Sequence, residues 1–151
     1  MKAVATYPSE MGTYQDRISG VTVHRLTNYL CHSHHAYFTN NGWWDENRRL
    51  LFCSDRENAS NLFSIEIATG EISRLTDFAP GDRTPVHFSN DVNPKRPEVY
   101  YTREEKLYAL DLMTLESRLL YETPKGFTIH GGLVGADGRY TYVVLKEDLS
   151  D

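Results

Sequence analysis

Three of the six histidines stand close together, as His32, His34 and His35, and Tyr37 follows them. In an extended strand, residues 32 and 34 point to one face and residue 35 to the other. Two imidazoles on one face could bind the carboxylate of a ligand or contribute to a metal site. A protein zinc site needs three or four ligands, and only two of these side chains point together. His32, His34, His35 and Tyr37 are therefore candidate substrate contacts, and hydrogen bonding to a neighbouring sheet is the alternative.

Two further histidines, His87 and His130, lie 43 residues apart at the start of comparable strand patterns. Imidazoles repeated around an opening would suit an anionic ligand, so both are candidate substrate contacts. A hydrogen bond between neighbouring sheets is again the alternative. The Gly131-Gly132 pair after His130 would let the backbone approach a ligand closely, or it would relieve crowding in the fold.

Arginine and tryptophan add two more kinds of ligand contact. Arg56 and Arg83 could each hold a carboxylate, because a guanidinium binds it through two hydrogen bonds. For Arg56, an ion pair with Asp55 or a bond to a loop carbonyl is the structural alternative. Trp43 and Trp44 could stack on sugar rings, although we expect at least one of them to cover the core.

Several classes of function are excluded or disfavoured by the sequence. It contains no phosphate-binding glycine loop, nucleophile elbow, Cys-x-x-Cys site or calcium loop. A formal charge of −5 argues against a nucleic-acid partner. No apolar run is long enough for a membrane span. The first residues do not resemble a secretory signal, and the two cysteines are too few for a disulfide framework. A cytoplasmic protein with free thiols is expected.

The elements that must position these side chains are indicated by an internal repeat. Residues 61–77 read NLFSIEIATGEISRLTD, and residues 106–122, 45 positions later, read KLYALDLMTLESRLLYE. Each copy alternates apolar and polar residues, turns, and alternates again, which is typical of an antiparallel hairpin with one buried face. A hairpin that recurs every 40 to 50 residues is typical of β-propeller blades.

The predicted fold class is therefore all-β, with β-propeller blades of four antiparallel strands. We expect innermost strands at residues 31–39 and 85–89, and a surface loop at residues 90–97. The predicted divisions are an irregular lead-in at 1–12, the outer half of a ring-closing blade at 13–28, blades at 29–78 and 79–123, and the inner half of a further blade at 124–151.

These divisions amount to three blades' worth of strands, whereas propellers close with about four to eight blades. Two hypotheses follow. Either the sequence is part of a longer protein, or two copies close a six-bladed ring. In both cases uncovered blade faces favour self-association.

The segment from residue 31 to residue 77 resembles the first blade of bacterial oligogalacturonate lyases, which are seven-bladed propeller enzymes of pectin breakdown. The resemblance rests on His32-x-His34-His35-x-Tyr37-Phe38, on the Ser54-Asp55-Arg56 strand end and on a Gly-Glu-Ile-x-x-Leu-Thr hairpin. It begins near Thr13 and continues more weakly to the end of the sequence. The hairpin and the strand end also resemble generic propeller repeats, so the histidine run carries the resemblance.

The resemblance implies β-elimination on short oligogalacturonates with a divalent cation, typically manganese. It also implies that the metal ligands and the catalytic histidine lie on later blades, beyond residue 151. We therefore expect this chain alone to be inactive and the intact enzyme to carry the activity. The alternative is a non-catalytic propeller that serves as a binding or scaffold module.

Overall fold

The computed structural model describes residues 3–81 and 91–149, and within these ranges the protein is built of β-strands and one short 3₁₀ turn, Arg56–Asn58. The strands are β1 (Ala5–Tyr7), β2 (Gly12–Gln15), β3 (Thr22–Arg25), β4 (Ser33–His34), β5 (Trp43–Trp44), β6 (Arg49–Ser54), β7 (Asn61–Glu66), β8 (Ile72–Arg74), β9 (Asp91–Val92), β10 (Glu98–Arg103), β11 (Lys106–Asp111), β12 (Ser117–Glu122), β13 (Phe127–Val134) and β14 (Thr141–Glu147). No helical segment in the same ranges has the length and apolarity that a membrane crossing requires.

The strands form four sheets, and every strand pair is antiparallel. The first sheet has the order β1-β8-β7-β6-β4, with β5 also paired to β6. The second sheet has the order β12-β11-β10-β9, while β13-β14 and β2-β3 form two-stranded sheets. Strands that are consecutive in the chain are therefore mostly neighbours in space, as in a meander.

Both predicted hairpins are observed, and they turn in the same way. Ile65 pairs with Ile72 in the first, and Leu110 pairs with Ser117 in the second. The turn residues Gly70 and Leu115, 45 positions apart, both have positive φ, of 75° and 63°. A leucine in this conformation is strained, so the repeat conserves the turn geometry even where glycine is absent.

The sheets pack face to face in series, because their central strands are buried on both sides. Along β6, Leu51 and Cys53 face the core shared with the second sheet, whereas Phe52 faces a cluster that includes Leu26, beyond β3. Along β10, Val99 faces the first sheet, while the adjacent Tyr100 packs in the cluster with β13 and β14. Alternation of side chains along a strand is what gives the first and second sheets two buried faces.

Three expectations about elements differ from the structure. Residues 1–12 were expected to be irregular, but β1 pairs with the edge of β8, and Tyr7 packs on Phe63 with ring centroids 6.2 Å apart. The predicted surface loop at 90–97 begins with the buried strand β9. The predicted strand at 31–39 is reduced to β4, because only Ser33 and His34 pair with β6. The predicted strand at 85–89 lies outside the described residues.

Candidate functional site

His32 is held by Asp55 at the end of the first sheet. The backbone N–H of His32 donates to Asp55 Oδ1 at 2.8 Å, and His32 Nδ1 lies 3.0 Å from Asp55 Oδ2. The Asp55 N–H in turn donates to the carbonyl of His32 at 3.2 Å. Since a carboxylate only accepts hydrogen bonds, Nδ1 carries the proton, and Nε2 is the nitrogen left for a ligand.

The Asp55 carboxylate is the charged partner in this pair. Burial raises its pKa, but the hydrogen bonds from His32 and the charge attraction to the imidazole outweigh this effect, and the pKa of Asp55 is lowered overall. Asp55 therefore stays ionised at neutral pH, where it fixes the ring orientation of His32. The imidazole borders a cavity of about 260 Å³ that Tyr29, Leu30 and Asn58 also line.

His34 and His35 line one cavity together, although the strand pattern predicted opposite faces. The ring of His34 stacks on that of His32 with centroids 5.9 Å apart, as expected for residues two apart in a strand. Strand β4 ends at His34, so the chain is free to turn and the side chain of His35 comes round to the same cavity of about 130 Å³. His35 packs against Gly42, where a Cβ atom would collide with the imidazole.

Tyr37 and His130, 93 positions apart, are brought together at the junction of the first and third sheets. They line a cavity of about 290 Å³ with Thr39, Gly131 and Tyr142, among others. A bulge in β13 follows His130, and Gly131 adopts a φ of +61° there, a conformation that favours glycine. The structure thus joins two of the predicted contacts that the sequence had placed on separate blades.

A buried carboxylate, Asp91, fixes the loops around this cavity. Its two oxygens accept the backbone N–H groups of Asn41 at 3.0 Å and Val134 at 2.8 Å. Burial raises the pKa of Asp91, and these hydrogen bonds only partly offset the rise. Asn40 adds a bond from Nδ2 to the Gly132 carbonyl at 3.3 Å. Three sheets are therefore tied together next to Tyr37 and His130.

Sequence reasoning missed Asp91, because it was assigned to a surface loop. A signal was present, since residues 38–41 read FTNN and residues 88–91 read FSND, 50 positions later. Two asparagine-rich ends at that spacing indicate a second repeat, which would have placed Asp91 on an inner strand.

The structure corrects the expectation for Arg56. Its side chain is buried, and Nη2 donates to Glu10 Oε1 at 2.6 Å. The guanidinium also lies over Tyr29 and Tyr7, at 4.3 Å and 4.7 Å from the ring centroids. The carboxylate that Arg56 binds is therefore an internal one, neither that of Asp55 nor that of a ligand. Arg83 and His87 lie outside the described residues.

A manganese ion does not fit those candidate residues that the structure describes. In the part of the chain that the structure describes, no three His, Cys, Asp or Glu side chains are grouped so as to hold a metal ion. His32 and Asp55 are already hydrogen-bonded to each other, and two ligands are fewer than a protein metal site uses.

The sequence is similar to a known family of proteins. The family model described as oligogalacturonate lyase matches residues 2–148. The oligogalacturonide lyase of Pectobacterium atrosepticum is 28% identical over 127 residues, which are 82% of this chain and 31% of that protein. The oligogalacturonate lyase of Dickeya dadantii is 30% identical over 125 residues, which are 79% of this chain and 30% of that protein. The chain thus spans about a third of the length of these relatives.

The fold is also that of solved structures. An oligogalacturonate lyase in complex with manganese is similar with a TM-score of 0.79 and 25% identity, over 91% of this chain and 36% of that chain. The oligogalacturonate lyase of Vibrio parahaemolyticus has the same TM-score at 23% identity and supports the fold alone. Because the family model covers nearly the whole sequence, the chain belongs to the oligogalacturonate lyase family.

Proposed function

We propose that this chain is the N-terminal portion of an enzyme that cleaves short oligogalacturonides by β-elimination. In that reaction a base removes the proton at C5 of a uronate, the C4–O bond breaks, a C4–C5 double bond forms, and the leaving oxygen takes up a proton. The observation that carries the proposal is the family match over residues 2–148. In this proposal the four sheets are parts of the blades of a seven-bladed propeller.

The base and the manganese ligands belong, in this proposal, to parts of the protein that the described residues do not include. Removal of a proton beside a carboxylate builds negative charge, which a metal ion or an arginine must stabilise. The described residues offer neither a grouped set of three metal ligands nor an accessible arginine at position 56. We therefore expect the chain by itself to be inactive.

The role of this chain is to contact the substrate and to support the blades. His32 presents Nε2 beside its Asp55 partner, and His34 stacks behind it. Tyr37 and His130 line a separate cavity, so the two groups would contact different parts of an oligomer. A cytoplasmic location remains part of the proposal, supported by the free thiols of Cys31 and Cys53.

An activity assay tests the proposal. The 151-residue chain and a full-length relative are incubated with digalacturonate, with and without manganese, and the unsaturated product is followed by ultraviolet absorbance. We expect product from the full-length protein and none from the chain. Activity of the chain alone would refute the assignment of the base to other parts of the protein and would direct the search to its own histidines.

A non-catalytic binding or scaffold module is the second candidate. It is favoured by the absence of a three-residue metal cluster among the described residues. The same assay, run on a complete protein that contains this chain, separates the two candidates. A complete protein containing this chain would form no product in the presence of manganese if the module hypothesis is correct.

A further inference from the structure

A groove lies at the end of the first sheet that is opposite to His32, and it has no role in the function proposed above. Its volume is about 410 Å³, within the range of small-ligand sites. One wall is the segment around Trp43, and the other is the segment from Asn93 to Pro97. Trp43 pairs with Leu50 at the start of β6, whereas His32 lies beside Asp55, five residues further on. At about 3.3 Å per residue, the two sites are about 17 Å apart.

Trp43 presents an aromatic surface and a free donor in this groove. This residue is 41% exposed, while Trp44 is 6% exposed and donates its Nε1–H to Ser64 at 3.1 Å. Within the described residues, the indole N–H of Trp43 has no hydrogen-bond partner. Trp44 therefore packs in the core, whereas the indole ring of Trp43 is accessible to a ligand.

The backbone of Trp43 is fixed by a single side chain. Asn41 accepts the Trp43 N–H through Oδ1 at 3.1 Å and donates from Nδ2 to the Trp43 carbonyl at 3.0 Å. The opposite wall is fixed in the same way, since Asn93 Oδ1 accepts the backbone N–H groups of Lys95 at 2.9 Å and Arg96 at 3.1 Å. A ligand would therefore meet two walls that are already ordered, which lowers the entropic cost of binding.

The charged side chains of the groove favour weak binding of an anionic ligand. The Lys95 ammonium has no ion-pair partner among residues 3–81 and 91–149. Arg96 is 53% exposed, although its Nη2 already donates to Tyr100 at 2.9 Å and to the Gly138 carbonyl at 3.0 Å and lies 3.4 Å from Glu98 Oε2. Asp45 is paired with Arg48 at 2.7 Å, so Glu46 is the acidic side chain of the groove that would oppose an anion.

We propose that this groove is a second carbohydrate-binding site, which holds a uronate residue of an acidic oligosaccharide away from the histidines. The apolar face of the pyranose ring stacks on Trp43, and the carboxylate faces Lys95 and Arg96. One ring hydroxyl accepts a hydrogen bond from the Trp43 indole N–H, and another donates to the Glu46 carboxylate. The choice of a uronate rests on the proposed function, while the stacking on Trp43 does not.

The test is a fluorescence titration of the 151-residue chain with trigalacturonate at low ionic strength, since Trp43 is the more exposed of its two tryptophans. We expect Trp43→Ala to weaken binding by about tenfold. Lys95→Gln should weaken it by about threefold, and Glu46→Gln should strengthen it by about twofold. Tyr14→Ala and Lys125→Gln, which change an exposed aromatic residue and an exposed lysine elsewhere, are the matched controls and should leave affinity unchanged. Binding by Trp43→Ala is followed by calorimetry, and circular dichroism checks its fold.

The outcomes separate this proposal from the function on which it rests. Unchanged affinity in a folded Trp43→Ala variant would refute the groove and leave the lyase proposal intact. Equal affinity for maltotriose, a neutral trisaccharide, would refute the uronate assignment. If a complete protein that contains this chain showed no lyase activity while trigalacturonate still bound at Trp43, the lyase proposal would be refuted and the groove would be supported.

Discussion

The buried ion pair between Glu10 and Arg56 gives the most direct test of how the N-terminal segment is held. Glu10 accepts Arg56 Nη2 at 2.6 Å and the backbone N–H groups of Asn28 and Tyr29 at 2.7 Å and 3.0 Å. The Arg56 side chain is only 2% exposed. Removing the charge of one partner leaves the other buried without compensation, which costs about 3 kcal/mol or more.

We therefore expect Glu10→Gln to lower the free energy of unfolding by about 3 kcal/mol. At about 3 °C per kcal/mol for a domain of this size, the melting temperature should fall by about 9 °C. Urea denaturation gives the free energy, and differential scanning calorimetry gives the melting temperature. Glu57→Gln is the matched control, because Glu57 pairs with Arg74 while 48% exposed, and a pair of this kind contributes less than about 1 kcal/mol.

A double-mutant cycle completes the test. Arg56→Met also removes one charge, but the double variant leaves no buried charge behind, so it should be less destabilised than the sum of the single variants. Additive effects, or a loss below about 1 kcal/mol for Glu10→Gln, would contradict the assignment of the pair as a buried structural one.

The same pair predicts a pH dependence. Burial raises the pKa of Glu10, but the hydrogen bonds from Asn28, Arg56 and Tyr29 outweigh it, so the pKa is lowered from its ordinary value of 4.5. The stabilisation is therefore complete above that ordinary value and is lost as the pH falls through the lowered one. Urea denaturation of the wild type and of Glu10→Gln across this range should show the difference between them shrink as the pH falls.

Three further predictions concern the candidate site. Because the pKa of Asp91 is raised, its contribution to stability falls as the pH rises from its ordinary pKa of 3.8 through the raised value. Urea denaturation of Asp91→Asn should lack this pH-dependent part of the unfolding free energy that the wild type shows. Asp55→Ala should speed the exchange of the His32 backbone N–H with solvent, measured by hydrogen–deuterium exchange, because that group loses its acceptor at 2.8 Å; unchanged exchange would contradict the pairing. Gly42→Ala should destabilise the protein by about 1 to 3 kcal/mol, measured by thermal denaturation, because the new methyl group meets the His35 ring; unchanged stability would mean that the ring has room to move.

Local patterns predicted the parts of the fold that depend on neighbours in the chain. The hairpin across Gly70 and its repeat across Leu115 followed from alternation and turn position, because strand pairing across a short turn is decided by residues close in sequence. The common face of His32 and His34 followed from the two-residue period of a strand. The burial of one tryptophan, Trp44, in the core was also expected, and alternation along β5 explains why Trp43 is the exposed one.

The sequence by itself therefore determined an all-β chain of repeated hairpins, with a histidine pair on one face of a short strand and one tryptophan in the core. Only the tertiary structure decided which distant groups meet. Arg56 found its carboxylate in Glu10, 46 residues away, and Tyr37 came to share a cavity with His130. Asp91 became a buried acceptor for backbone groups of two other sheets. The physical reason is that the stacking of the sheets determines which groups meet buried charges and backbone N–H groups. The two-residue period of a strand shows which side chains share a face, but not which residues of a neighbouring sheet pack against that face.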